Sequence, residues 1–207
     1  MKGRKLRWVA ACAAVALALP SQAGLVSSWE TGLEGWAARP SATLAPTAAG
    51  GVTDGSSALR VNTTGGGWNE TMVLDGAQYA AAFAGNNVVS LDVTASAADV
   101  PASWLFVWFA LNVPDLFWTD SGPINIPLDG RPHTISWNYQ QAGVAVDPNP
   151  YWFQLYLPTM AGNGGSPTVA FTFDNLRTSN VPTVPEPGSL ALAAAGGALL
   201  LRRRRRV

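Results

Sequence analysis

Aromatic side chains recur at alternate positions in two segments of the chain, 103–111 and 151–157. In an extended strand, alternate residues point to the same side, so each segment would present a row of rings on one face. Flat rings stack on the C–H faces of sugars, and amides exchange hydrogen bonds with hydroxyls. These residue types predict saccharide binding if both strands share a sheet face. The residues are Trp104, Trp108, Trp152, Gln154 and Tyr156.

Polar positions on other predicted strands extend this candidate site. We place Asn138 in it, with Ser136 and Asp92 nearby, as hydrogen-bonding groups for sugar hydroxyls. The competing interpretation is that the rings form a second layer of core beneath segments 112–128 or 141–150. Tryptophan is mostly buried in proteins, so both interpretations stay open at this point.

The chain offers few groups for catalysis. The only cysteine is Cys12 and the only histidine is His133, which excludes thiol catalysis and multi-histidine metal sites in the body of the protein. There is no Gly-x-Ser-x-Gly motif and no phosphate-binding lysine loop. Asp115 and Asp120 flank Trp118, but twelve scattered acids will always provide such pairs. We therefore expect a protein that is not an enzyme, and a glycan-active enzyme ranks third among the functional hypotheses.

The segments between these residues predict an all-β fold. Apolar and polar residues alternate at 89–94, 134–140 and 171–174, and turn-forming Gly, Asn and Asp residues separate the alternating segments. No segment of the body keeps a helical period for three turns, although 75–84 could hold one short helix. Many short strands with regular turns predict an antiparallel β-sandwich.

Both ends of the chain differ from this body. Residues 1–23 have a basic start, an apolar stretch and small residues before Gly24, which predicts a secretory signal peptide cleaved after Ala23. Residues 24–178 form the predicted β-sandwich domain and 179–188 a Pro-rich linker. Residues 189–207 combine a short hydrophobic helix with five terminal arginines, which stay on the cytoplasmic side of a membrane.

Charge is distributed unevenly along the chain. Nine of the thirteen basic residues lie in the two terminal segments, so the domain between them keeps four arginines against twelve acidic residues, a formal charge of −8. This balance excludes the basic surface that nucleic-acid binding needs.

The last 24 residues strongly resemble the PEP-CTERM sorting signal of Gram-negative bacteria. In that family the resemblance implies an exported protein that an exosortase, a membrane cysteine protease, cleaves near the Pro-Glu-Pro sequence. It also implies a transient anchor in the inner membrane before transfer to the cell surface or the extracellular matrix. The residues that carry it are Val184, Pro185, Glu186, Pro187, Arg202, Arg203, Arg204, Arg205 and Arg206.

The body resembles jelly-roll domains of the carbohydrate-binding-module type. The similarity lies in four short motifs at 29–36, 54–61, 129–135 and 171–176. In those modules an early glutamate and a late aspartate help to hold a structural Ca²⁺, which implies Glu30 and Asp174 here. No other cofactor is expected.

Together these features predict an exported cell-surface or exopolysaccharide-associated protein that binds saccharide without catalysis. Its expected partners are signal peptidase and exosortase, an extracellular polysaccharide and, transiently, the inner membrane, with no nucleic acid. A structural protein of the biofilm matrix with no small ligand is the alternative hypothesis.

The length of the tail generates a prediction about processing. Residues 189–201 form a helix of about 20 Å, shorter than the hydrocarbon core of about 30 Å, which suits a transient anchor. We expect intact-mass measurement of the exported protein to show loss of both Met1–Ala23 and the arginine tail. Finding Arg202–Arg206 on the mature surface protein would refute the sorting-signal interpretation.

Overall fold

The computed structural model describes residues 24–39, 42–64, 71–100, 105–114, 116–145, 150, 152–157 and 168–180. The signal peptide, the sorting motif and the tail lie outside these ranges. Two six-stranded antiparallel sheets face each other, which confirms the predicted β-sandwich.

Sheet A contains the longest strand of the structure at its centre. Its order is β10-β6-β12-β4-β3, and β1 pairs with β12 outside this path. The strands are β1 (Gly24–Ser27), β3 (Ala42–Thr47), β4 (Ala58–Thr64), β6 (Val88–Ser96), β10 (Asp129–Asn138) and β12 (Thr168–Ser179).

Sheet B is built from shorter strands. Its order is β2-β5-β11-β7-β8, and β9 pairs with β7 outside this path. The strands are β2 (Ala37–Arg39), β5 (Thr71–Asp75), β7 (Leu105–Val113), β8 (Phe117–Asp120), β9 (Ile124–Ile126) and β11 (Trp152–Tyr156).

One short helix, α1 (Gly76–Phe83), connects β5 of sheet B to β6 of sheet A, as the sequence predicts for 75–84. We call the end of the sandwich where α1 lies the helix end. Within the described ranges, no helix has the length and apolar character that a membrane span requires.

The core lies between the sheets and follows the predicted alternation. On β7, Leu105, Val107, Phe109 and Leu111 are each at most 1% exposed. On β11, Phe153 and Leu155 are fully buried and face the same interior. Because side chains alternate in a strand, this packing turns the intervening residues of β7 and β11 to the outside of sheet B.

Phe153 is the centre of an aromatic cluster in this core. Its ring centroid lies 5.8 Å from that of Trp36, 5.6 Å from that of Phe83 and 6.3 Å from that of Phe109. These partners come from the 28–36 loop, from α1 and from β7. The Phe153 side chain therefore packs α1 together with the 28–36 loop and strand β7.

Replacing this ring tests how much of the fold depends on it. We expect Phe153→Ala to lower the free energy of unfolding by about 3–5 kcal/mol, because it leaves a cavity among three other aromatic rings. Chemical denaturation measures the change. A loss below about 1 kcal/mol would mean that the ring is not packed as described.

Candidate functional site

The outer surface of sheet B carries a set of aromatic and polar side chains. Trp152 pairs with Asp75 on one side and with Asn112 on the other, and Asn112 pairs in turn with Trp118. Directly paired residues point to the same face of a sheet. We call this surface the aromatic face, and its members are Asp75, Trp108, Asn112, Trp118, Asp120, Trp152, Gln154 and Tyr156.

On the aromatic face, the ring of Tyr156 contacts two other rings, each on a different strand. The Tyr156 ring centroid lies 5.5 Å from that of Trp108 and 5.4 Å from that of Trp118, the second contact being edge to face. The Trp118 indole Nε1 donates a hydrogen bond of 3.0 Å to Asp120 Oδ2. Edge-to-face packing and a hydrogen bond fix the orientation of these rings.

Two tryptophans of this face are open to solvent. Trp152 is 43% exposed and Trp118 is 40% exposed, whereas Trp108 and Tyr156 are half-buried. Tryptophan usually buries most of its surface, so exposed rings on one sheet face are unusual for a purely structural role. The surface offers accessible rings on which a sugar could stack. It also offers the Gln154 amide and carboxylates at the edges, which could form hydrogen bonds with sugar hydroxyls.

The structure brings together four of the six predicted ligand-binding residues. Trp108, Trp152, Gln154 and Tyr156 lie on the aromatic face as predicted. Trp104 lies outside the described residues. Whether the four residues bind a ligand stays a prediction.

The prediction that Asn138 lies beside them is wrong. Asn138 ends β10, which pairs with β6 in sheet A, so it belongs to the other layer of the sandwich. Its Oδ1 accepts a hydrogen bond of 3.2 Å from Gln141 N and closes the turn after the strand. Ser136 and Asp92 are in sheet A for the same reason.

Four members of the aromatic face were not proposed as ligand-binding residues from the sequence, namely Asp75, Asn112, Trp118 and Asp120. Trp118 lies on β8, a strand of only four residues, too short to stand out by alternation. Asp75 and Asn112 join the face only through their pairing with Trp152, which is a long-range relation. A sequence signal exists only for Trp118 and Asp120, because they are two residues apart and would share a face in a strand.

The two predicted calcium ligands both bind the loop that connects β3 to β4. Glu30 Oε1 accepts hydrogen bonds from the backbone N–H groups of Ser56 (2.9 Å) and Ser57 (2.7 Å), and Oε2 accepts one from the Ser56 hydroxyl. These bonds, with that of Ser57 strongest, hold the pKa of Glu30 below its usual value of 4.5.

Asp174 is fully buried and holds the middle of the same loop. Its Oδ2 accepts hydrogen bonds from Thr53 N (2.5 Å) and Asp54 N (2.8 Å). The Thr53 hydroxyl lies 3.0 Å from this oxygen and 2.8 Å from Oδ2 of Asp92, which neighbours Asp174 across the sheet. The loop is thereby fixed over the outer surface of sheet A.

This donor set does not fit a calcium ion. Calcium needs six to eight oxygen ligands, and the carboxylate oxygens of Glu30 and Asp174 instead face N–H and O–H donors. Among the described residues, no group of three or more His, Cys, Asp or Glu side chains could hold a metal ion. The two carboxylates act on the loop as hydrogen-bond acceptors.

The single histidine also has a structural contact. His133 Nε2 lies 2.9 Å from Asp129 Oδ1 at the start of β10. The Arg131 N–H and then His133 stabilise this carboxylate, so the pKa of Asp129 lies below its usual value. Of the two acids near Trp118, Asp120 also accepts the Gly122 N–H, and Asp115 lies outside the described residues.

Chelation tests the calcium hypothesis directly. We expect the melting temperature to be the same with and without a calcium chelator, because N–H donors already occupy the carboxylates. Asp174→Asn should cost about 1–3 kcal/mol under both conditions, since its amide cannot accept all the N–H bonds that the carboxylate accepts. Thermal unfolding measures both. A melt that falls on chelation, with Asp174→Asn abolishing the response, would establish the site that the resemblance implies.

Residues 183–206 match the PEP-CTERM protein-sorting motif, which confirms the predicted C-terminal signal. The motif marks an exported protein that is transiently anchored in a membrane and processed by an exosortase. No curated protein matches the chain.

Solved structures with a similar fold include carbohydrate-binding modules. The tandem CBM22-1–CBM22-2 domain of Xyn10C from Paenibacillus barcinonensis aligns with a TM-score of 0.52 and 17% identity over 83% of this chain. The alignment covers 48% of that chain, so this protein spans about half the length of the tandem.

Two single modules align over nearly their whole length. The CBM22-1 xylan-binding domain of the same Xyn10C gives a TM-score of 0.50 at 16% identity, over 78% of this chain and 97% of that one. A CBM28 specific for non-crystalline cellulose gives 0.55 at 14% identity, over 78% and 97%. At these identities the likeness concerns the fold, which is the jelly-roll sandwich of carbohydrate-binding modules.

Proposed function

We propose that the exported domain binds an extracellular polysaccharide on the aromatic face of sheet B and carries out no catalysis. The observation that carries this proposal is the ring cluster of Trp108, Tyr156 and Trp118 next to the exposed Trp152. The rings span neighbouring strands, so a chain of several sugars would contact more than one ring. The likeness to xylan- and cellulose-binding modules supports the same class of ligand.

The charge of the face favours a neutral polysaccharide. Asp75 and Asp120 lie on it, and the four arginines of the domain are outnumbered by twelve acids. A polymer rich in uronic acids would bring like charges together, which costs binding energy. A neutral chain avoids this cost, and its hydroxyl groups can donate hydrogen bonds to the two carboxylates.

Trp108 gives a second physical argument. Its indole Nε1 is buried and has no hydrogen-bond partner within the structure described. A buried donor without an acceptor costs about 1–3 kcal/mol. A ligand oxygen that reached this group after a small movement of its neighbours would supply the missing bond and convert that cost into binding energy.

The sorting motif supports a location where such a ligand is present. We infer that cleavage near Pro185–Pro187 releases the domain to the cell surface or to the exopolysaccharide matrix. A domain that binds polysaccharide would then be retained there by its ligand. A scaffold without a ligand would need another form of retention.

Substitution of Trp152 separates packing from binding. Because the ring is 43% exposed, we expect Trp152→Ala to leave the domain folded and to weaken polysaccharide binding by about 1–3 kcal/mol, as for loss of a stacking ring. Affinity electrophoresis in gels that contain neutral β-linked glucan or xylan, or the producing organism's own polysaccharide, measures the loss.

Two matched variants serve as controls. Leu25→Ala removes a side chain that is 55% exposed on sheet A, and Asn138→Ala removes the amide of the other layer. Both should bind as the unchanged protein does. If Trp152→Ala also binds unchanged, or if no neutral or acidic polysaccharide binds at all, the proposal fails and a structural matrix role is favoured.

A further inference from the structure

The large apolar side chains that are exposed in the described part of the chain gather at the helix end. Leu116 is 43% exposed at the end of the turn between β7 and β8, and Phe117, the first residue of β8, is 77% exposed; we call these two residues and the turn before them the β7–β8 turn. Asn112, near the end of β7, pairs with Trp152, and Trp152 pairs with the last residue of β5. Because α1 follows β5 directly, this turn lies beside α1. The full set is Leu25, Leu33, Leu116, Phe117, Trp118 and Trp152.

The two members from the N-terminal part reach the same end by other contacts. Leu25 follows Gly24, where an added Cβ would lie 2.6 Å from the carbonyl oxygen of Ala82 in α1. Leu33 precedes Glu34, whose carbonyl oxygen accepts a hydrogen bond from Tyr79 of α1. Apolar exposure is thus concentrated around one end of the sandwich instead of being scattered singly.

The chain leaves the domain at this end. The carbonyl oxygen of Ser179, the last residue of β12, accepts a hydrogen bond of 3.0 Å from Asn87 N, just beyond α1. Nine residues then lead from 180 to Ser189, where the hydrophobic segment begins, and they span at most about 30 Å. While the tail is inserted, the helix end is the part of the domain tethered next to the bilayer.

Apolar insertion, not charge, would bring this end to the lipid. The domain contains no lysine, and its four arginines are outnumbered by acids. The side chain of Arg177 is turned back on its own strand, where it donates to the Asn175 carbonyl oxygen. Leucine, phenylalanine and tryptophan are the residues that enter the interface between headgroups and acyl chains.

We propose that the β7–β8 turn, through Leu116 and Phe117, docks on the lipid bilayer while the tail anchors the protein, and leaves it when the tail is removed. A weak contact suffices in the anchored state because the tether keeps the local concentration high. Without the tether, a few apolar side chains do not hold a protein on a membrane, since stable anchoring takes two signals. The proposal rests on the sorting signal and is independent of saccharide binding.

The experiment uses the full chain, produced in a bacterial host that lacks an exosortase so that the tail stays in place. One variant carries Ala142→Cys, at an exposed position of the helix end next to Gly143, where an added Cβ would lie 3.8 Å from Leu116 Cδ1. The other carries Ala98→Cys, at an exposed position of the opposite end. Both also carry Cys12→Ser, so that each has a single thiol. The purified chains are reconstituted into phosphatidylcholine vesicles, and the rate of reaction with a water-soluble maleimide is measured.

In vesicles, we expect the thiol of the Ala142→Cys variant to react about tenfold more slowly than that of the Ala98→Cys variant. A tenfold ratio corresponds to a docking free energy of about 1.4 kcal/mol. The difference should vanish when Leu116→Ser and Phe117→Ser are added. It should also vanish when the tail is cut off, and it should persist at high salt. Unchanged thermal unfolding shows that the chain with both serine substitutions in the turn is folded.

Three results would overturn the proposal. Equal rates for the two variants in vesicles would mean that the helix end is not shielded. Slow reaction of both would mean that the domain lies on the membrane without a preferred face. The third result is that the Ala142→Cys variant still reacts slowly after its tail is removed, and that the two serine substitutions restore fast reaction. That result would mean that a second copy of the protein covers the turn.

Discussion

The burial of Phe153 is the constraint on which the candidate site depends. Its ring packs against Trp36, Phe83 and Phe109, and so fixes which side of β11 faces the core. Because side chains alternate along a strand, Trp152 and Gln154 must then face outward. A shift of β11 by one residue would exchange the two sets and expose the phenylalanine. The same packing that buries Phe153 in the core therefore turns the rings of the aromatic face outward.

The sequence predicted those features that depend on alternation within a single strand. It separated the residues of β7 into two faces, without deciding which face is core, and it placed Phe153 and Leu155 of β11 in the core. Pairing between distant strands could not be predicted in this way. Asn138 was placed with the rings because it alternates with core residues of its own strand, yet β10 joins sheet A. Trp118 reaches Tyr156 through a four-residue edge strand that short-range patterns do not distinguish from a loop.

The carboxylates illustrate a different limit of sequence comparison. The resemblance to carbohydrate-binding modules implies that Glu30 and Asp174 help to hold a Ca²⁺, but in the structure they bind a common loop through its N–H and hydroxyl groups. Whether a backbone presents N–H or C=O groups to a carboxylate depends on the dihedral angles of the loop. Gly55 in this loop has a φ of +68°, and a Cβ there would lie 2.5 Å from Glu30 Oε1. The choice between a metal ion and direct hydrogen bonds is thus decided by local backbone geometry.

The two ends of the sandwich differ, because the chain leaves the domain at only one of them. The tail leaves beside α1, and Trp152 lies nearer to that end of the aromatic face than Tyr156 does. An anchored protein would hold part of its aromatic face close to the membrane, and a released one would present all of it. Removal of the tail would then change both where the domain goes and how much of its binding surface is accessible. If the domain binds polysaccharide as we propose, localisation and binding would in this way be linked by the position of one chain terminus.

The central claim is that the aromatic face of sheet B is where a polysaccharide binds. The most direct measurement is an NMR titration of the processed domain with the producing organism's polysaccharide, following the indole N–H signals. We predict that the signals of Trp118 and Trp152 shift with increasing ligand, while that of Trp36, which donates to Ser27 in the core, stays in place. Signals of Trp118 and Trp152 that do not move at saturating polysaccharide, or shifts confined to sheet A, would contradict the account.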